Sequence, residues 1–135
     1  MADIRIVTPA FAVAPQLAPE EVVQAAALGF KLLINNRPDG EAPDQPSSDE
    51  MAAAARAAGM AYSHVPVVGG PNTAQVEAVA ELVAEAVGPV LAFCRSGTRS
   101  IVTWSRGQQS HGLKSREELV ELGSAAGYDL SQVLP

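Results

Sequence analysis

Residues 90–104 read VLAFCRSGTRSIVTW and contain the chain's one cysteine, Cys94. The four residues before it are apolar at every position, as a central strand covered on both faces should be. The residues after it, Arg95, Ser96, Gly97 and Thr98, offer no apolar side chain to continue that strand. Gly97 allows positive φ and close approach of the backbone to a ligand, and a helix is expected to begin within GTRSIVTWS. Successive amides running into a helix N-terminus form a concave nest of N–H donors suited to an anion. A free cysteine is commonly a packing residue. At the mouth of such a loop it is instead placed to act as a thiolate nucleophile. Arg99 can present its planar fork to an oxyanion, and Ser100 can donate a hydroxyl to thiolate or ligand.

Working outward, strand and helix alternate. FAVAPQL (11–17) reads as a strand. APEEVVQAAALGF (18–30) reads as a helix with Pro19 in its first turn, Glu20 and Glu21 at the positive end of its dipole, and Gly29 as a stop. KLLINN (31–36) is a strand, followed by the polar loop RPDGEAPDQPSS (37–48). Ser47 with Glu50, Asn72 with Gln75 and Ser115 with Glu118 each have the spacing of a capping box. They open helices at DEMAAAARAAG (49–59), TAQVEAVAELVAEAV (73–87) and REELVELGSAAG (116–127), with AYSHVPVV (61–68) and GPVLAFC (88–94) as strands between. Valines 76, 79, 83 and 87 fall on one face of the third helix, with Glu77, Glu81 and Glu85 on a solvated one. The order predicts an α/β fold with a central, mostly parallel sheet flanked by helices, in one domain over 1–135. In such sheets the working site lies at the carboxyl ends of the strands, where Cys94 and the loop after Asn36 emerge.

The bulk numbers narrow the chemistry. Of 135 residues, 47% are apolar but only 4% aromatic, so Ala, Val and Leu must pack the core. A net charge of −6 argues against nucleic acid or an anionic membrane as partner, while leaving room for a small anionic substrate at a locally basic loop. No apolar run approaches a membrane span and no secretory signal opens the chain, which predicts a cytoplasmic address. One cysteine and two histidines give no internal disulfide, no resolving thiol and no metal site, and no cofactor is called for. Nothing in the pattern argues for a homo-oligomer.

The loop CRSGTRS resembles the active-site loop of single-domain rhodaneses and, more loosely, the phosphate loop of tyrosine and dual-specificity phosphatases. The wider pattern LLINNRPDGE…P…AGMAYSHVPV…G…T…QV…GPVLAFCRSGTRS…W resembles the phosphatase-like domain of the beta-lactamase hydrolase-like proteins, from about Phe11 to beyond Trp104. That resemblance implies a dual-specificity-phosphatase-like fold, in a family whose members are described both as phosphatases and as sulfurtransferases. It implies Cys94 as nucleophile, Arg99 as anion clamp and the 95–100 backbone as cradle, with Arg95, Ser96, Gly97 and Thr98 around the bound anion.

Two departures from the phosphatase pattern stand out. Phosphatase loops place five residues between cysteine and arginine; here there are four, the rhodanese spacing, and Ser100 stands where the arginine is expected. Dual-specificity enzymes take their general acid, worth ~10²–10⁴-fold in rate, from the loop after the strand AYSHVPVV. Here that loop reads GGPNTAQ, without a carboxylate. The nearest candidate acids are Asp39, Glu41 and Asp44, and each taken singly reads more readily as a solvated loop residue. Arg37 is a second positive charge for the site mouth or a loop tie pairing with Asp39 or Asp44. His64 reads as a hydrogen-bonded structural residue, and Arg106 and His111 as surface. Three functions follow: a cysteine-dependent phosphatase acting through a cysteinyl-phosphate, a sulfurtransferase carrying a Cys94 persulfide, and a silent anion-binding module.

Overall fold

In the computed structural model, which describes residues 2–135, strand and helix alternate as the sequence predicts. The elements are β1 (Arg5–Thr8), β2 (Phe11–Ala14), α1 (Glu21–Ala27), β3 (Leu32–Asn35), α2 (Ser48–Ala57), β4 (Ala61–His64), α3 (Thr73–Glu85), β5 (Val90–Phe93), α4 (Thr98–Ser110) and α5 (Arg116–Ala125). The five strands form one sheet in the order β1-β2-β5-β3-β4. β5 lies at its centre, parallel to both β2 and β3, and β4 runs parallel to β3. The expected mostly parallel sheet is therefore present.

Alternation along the strands divides the core in two. Val90 and Ala92 of β5, Phe11 and Val13 of β2, and Leu32 and Ile34 of β3 share one apolar cluster with Val79, Ile101, Trp104 and Leu119 of α3, α4 and α5. Leu91, Phe93, Ala12, Ala14 and Leu33 face the other way, onto Val22 and Ala25 of α1 and Met51 and Ala55 of α2. β5 is apolar throughout because both of its faces are covered. The scarcity of aromatics is offset on the first face, where Phe11 stacks on Trp104 with ring centroids 4.6 Å apart. All three capping boxes form, at Ser47, Asn72 and Ser115.

Three expectations need correction. β1 has no counterpart among the expected strands: it pairs antiparallel with β2 at the sheet's edge, with its register broken between Ile6 and Thr8. α3 stops at Glu85, because Ala86 turns extended ahead of Gly88 and Pro89. Val87 leaves the helical stripe and is 92% exposed. β4 ends at His64, short of the expected VPVV, since Pro66 has no N–H to offer the ladder.

Candidate functional site

The parallel strands finish level with one another. Ala14 and Asn35 both stand opposite Phe93, and Asn35 stands opposite His64. The four segments that leave these ends therefore run side by side. Backbone hydrogen bonds tie them together beyond the sheet: Asn36 N–H to the Phe93 carbonyl (2.8 Å), Gln16 N–H to the Arg95 carbonyl (3.2 Å) and Val67 N–H to the Asn36 carbonyl (2.9 Å). The first residue past β5 is Cys94, so the central strand delivers the thiol into the middle of this group.

Cys94 is 1% exposed. Its Sγ accepts a hydrogen bond from the Gly97 N–H at 3.1 Å, so the loop turns back and brings this amide onto sulfur. Gly97 is the N-cap of α4 at φ 93°. A side chain there would collide with the Tyr128 hydroxyl, which gives this glycine two reasons to be glycine. The thirteen-residue α4 then points its positive end at the cysteine. Arg95, Ser96 and Thr98 lie exposed on the outside of the loop, with the Ser96 hydroxyl donating to Thr98 Oγ1 at 3.1 Å. Ser100 lies beneath the loop, fully buried, and its hydroxyl has no hydrogen-bond partner among the described residues.

Arg99 is already engaged. Its two terminal nitrogens donate to the two oxygens of Glu41, each at 2.8 Å, and Nη1 also reaches the Val67 carbonyl at 2.8 Å. Glu41 in turn accepts from Arg37 Nε at 2.9 Å. One carboxylate thus bridges two guanidinium groups. Arg99 above all, then Arg37, lowers the Glu41 carboxyl from 4.5 to about 2, against an opposing push from burial. The same bridge is the main reason Arg99 is raised above its ordinary value. Glu41 is consequently ionised at neutral pH and has no proton to give.

The expectations for the acidic loop change accordingly. Arg37 pairs with Glu41, not with Asp39 or Asp44, and it is buried, with Nη1 donating to Gln16 Oε1 at 3.1 Å. It joins the site through Glu41 rather than as an open charge at its mouth. Asp39 accepts from the Ser48 N–H at 2.7 Å, at the start of α2, and Asp44 is exposed. His64 has the structural bond expected of it, with Nε2 2.8 Å from the Arg37 carbonyl. His111 pairs with Glu77 on the surface at 3.0 Å. Arg106 is less superficial than its sequence reading: it is partly buried and donates to the Val133 carbonyl at 3.1 Å.

Two further contributors lie outside the sequence reading. Gln16 holds the Arg95 carbonyl with its backbone and Arg37 with its side chain. Tyr128 donates to the Ser96 carbonyl at 2.8 Å. Each lies far from the Cys94 loop along the chain, and no local pattern marks either. Among the described residues no group of His, Cys, Asp and Glu is arranged to hold a metal ion, and no helix is long and apolar enough to cross a membrane.

Comparison with known proteins gives a consistent result. Residues 3–111 match the family model described as "Beta-lactamase hydrolase-like protein, phosphatase-like domain". A beta-lactamase hydrolase-like protein of Xylella fastidiosa is 40% identical over 124 residues, 91% of this chain but 29% of the relative. The chain thus spans less than a third of that relative's length. A crystal structure of a candidate phosphatase from Neisseria meningitidis superposes with a TM-score of 0.85 at 32% identity, covering 96% of this chain and 92% of that one. TpbA of Pseudomonas aeruginosa, solved in complex with phosphotyrosine, shares the fold at a TM-score of 0.68 and 16% identity, over 96% of this chain and 76% of that one.

Proposed function

The chain belongs to the family of the phosphatase-like domain of beta-lactamase hydrolase-like proteins, and from that premise we propose that it is a cysteine-dependent phosphatase-like hydrolase acting on a phosphoester. The observation that carries the reading is the placement of Cys94 Sγ in front of α4, with the Gly97 amide on sulfur and the Arg99 guanidinium held by Glu41. The Cys94 thiolate attacks phosphorus in line; the S–P bond forms as the bond to the leaving oxygen breaks. The loop amides and Arg99 stabilise the charge on the equatorial oxygens. Water then attacks the cysteinyl-phosphate, releasing phosphate and returning the thiolate, with Ser100 donating its unpartnered hydroxyl to sulfur. With Glu41 ionised, the leaving oxygen takes its proton from Asp39 or Asp44 of the same loop or from solvent, and good leaving groups turn over fastest. Aryl phosphates are the substrate class that suits such a site, and the shared fold of TpbA with phosphotyrosine bound supports that choice.

A second reading rests on the four-residue spacing from Cys94 to Arg99 and on the ionised facing carboxylate. In sulfur transfer the Cys94 thiolate attacks the outer sulfur of thiosulfate, expels sulfite, and carries a persulfide to an acceptor thiol or cyanide. No proton donor is required. One preparation assayed in parallel with an aryl phosphate and with thiosulfate separates the two, using Cys94→Ser as control. The phosphatase reading expects phosphate release that the substitution abolishes. No release between pH 5 and 8, together with one cyanide-labile sulfur on Cys94 by mass spectrometry, would replace it with the second.

A further inference from the structure

The peptide joining Ser96 to Gly97 is gripped at both edges. Its N–H donates to Cys94 Sγ at 3.1 Å, and its carbonyl accepts from the Tyr128 hydroxyl at 2.8 Å. The unit is planar and trans, so its C=O and N–H point in opposite directions, and fixing one aims the other. A donor on the carbonyl also polarises the amide and makes its N–H the stronger donor.

The end of α5 explains how a residue 32 positions away reaches this peptide. The Gly127 N–H bonds the Ser124 carbonyl at 3.0 Å, and the Tyr128 N–H bonds the Gly123 carbonyl at 2.8 Å. That pair of bonds is a Schellman turn, with Gly127 at φ 95° in the left-handed position it requires. The turn throws Tyr128 inward, into the cluster with Phe11 and Trp104, where its ring is buried. The Arg5 guanidinium lies over that ring, 5.1 Å from its centroid. Burial pushes the Tyr128 phenol up, so it remains protonated and a donor. Tyr128 also lies outside the residues that match the family model.

We propose that Tyr128 is a positioning residue for Cys94: acting through the Ser96–Gly97 peptide, its hydroxyl aims and strengthens the amide that stabilises the thiolate. The inference rests on Cys94 being the nucleophile, whichever electrophile it meets. The segment after α5 is then part of the active site without touching substrate.

With one cysteine in the chain, iodoacetamide labelling at neutral pH reports on Cys94 alone. Tyr128→Phe deletes the donor and leaves the packed ring in place. Labelling is expected to slow by about 3- to 10-fold, the effect of one net hydrogen bond. Labelling at an unchanged or higher rate would overturn the proposal, a higher rate showing that the hydroxyl merely closes the loop. Gly97→Ala supplies a second test, because its new side chain meets the Tyr128 hydroxyl. It is expected to slow labelling more in the wild-type background than in Tyr128→Phe; equal effects would also overturn the proposal. Labelling needs no phosphoester, so absent phosphate release with slowed labelling counts against the hydrolase reading alone.

Discussion

Replacing Glu41 by Gln tests the bridge that holds the site together. The substitution keeps the shape of the side chain while removing the charge shared by Arg37 and Arg99 and replacing one of the two accepting oxygens by an amide donor. Glu41 sits at about 2 in the folded protein against an ordinary 4.5. Taken at face value, that displacement corresponds to roughly 3 kcal/mol of folding stability. The side chain is 29% exposed, so solvent screening reduces the contribution to ~1–2 kcal/mol. The sign follows from the direction: a carboxyl depressed on folding stabilises above its unfolded value of 4.5 and loses that contribution as pH falls toward 2. Urea unfolding followed through Trp104, the single tryptophan, measures both proteins across pH 2 to 7. The wild type is expected to exceed Glu41→Gln by ~1–2 kcal/mol at pH 7, with the difference closing between pH 4.5 and 2. Other carboxylates titrate alike in both and cancel. A difference that stays flat over that interval would show that the bridge adds no net charge stabilisation, and the argument for an anchored Arg99 would fail.

Three other outcomes follow from the same geometry. Arg99→Lys surrenders the two-nitrogen grip on Glu41 and on any oxyanion, so aryl-phosphate turnover should fall by about 10²–10³-fold; a rate within tenfold of wild type would remove Arg99 from the mechanism. Ser100→Ala deletes a buried hydroxyl without a partner, so thermal unfolding should show stability unchanged or raised by up to ~1 kcal/mol, while turnover falls. A clear loss of stability would mean that the hydroxyl is bonded in the resting protein. Asn72→Ala removes the capping box of α3 and should cost about 1 kcal/mol in urea unfolding, without changing Cys94 labelling.

What could be read from the sequence was what neighbours in the chain decide. The capping boxes at Ser47, Asn72 and Ser115 span four residues each, and all three form. The apolar run at 90–93 became the central strand because its composition already required cover on both faces. The shape of the Cys94 loop was legible for the same reason, since its cysteine, turn glycine and helix start are contiguous. Contacts between distant segments were not legible. Glu41 reaches Arg99 across 58 residues, and Tyr128 reaches Ser96 across 32. Nothing in RPDGEAPDQ distinguishes Glu41 from Asp39 or Asp44 until the level strand ends place that loop opposite α4. β1 leaves little trace in the sequence because it is a four-residue edge strand, with Ile6 exposed and Val7 buried. The valine spacing runs on to Val87, but Gly88 and Pro89 just beyond it end α3 at Glu85.

The two rims of the sheet have a bearing on how this fold behaves in company. A strand edge with free amides and carbonyls is a template on which another chain can lay down its own strand. Here each template is only four residues long. The first is interrupted by the register break at Ile6–Thr8, and the second runs directly into Pro66. Neither presents the long flat ladder from which fibrils or swapped assemblies grow. The strand that leads into Cys94 lies two places in from either edge, so fraying at a rim leaves Cys94 and the Gly97 amide undisturbed.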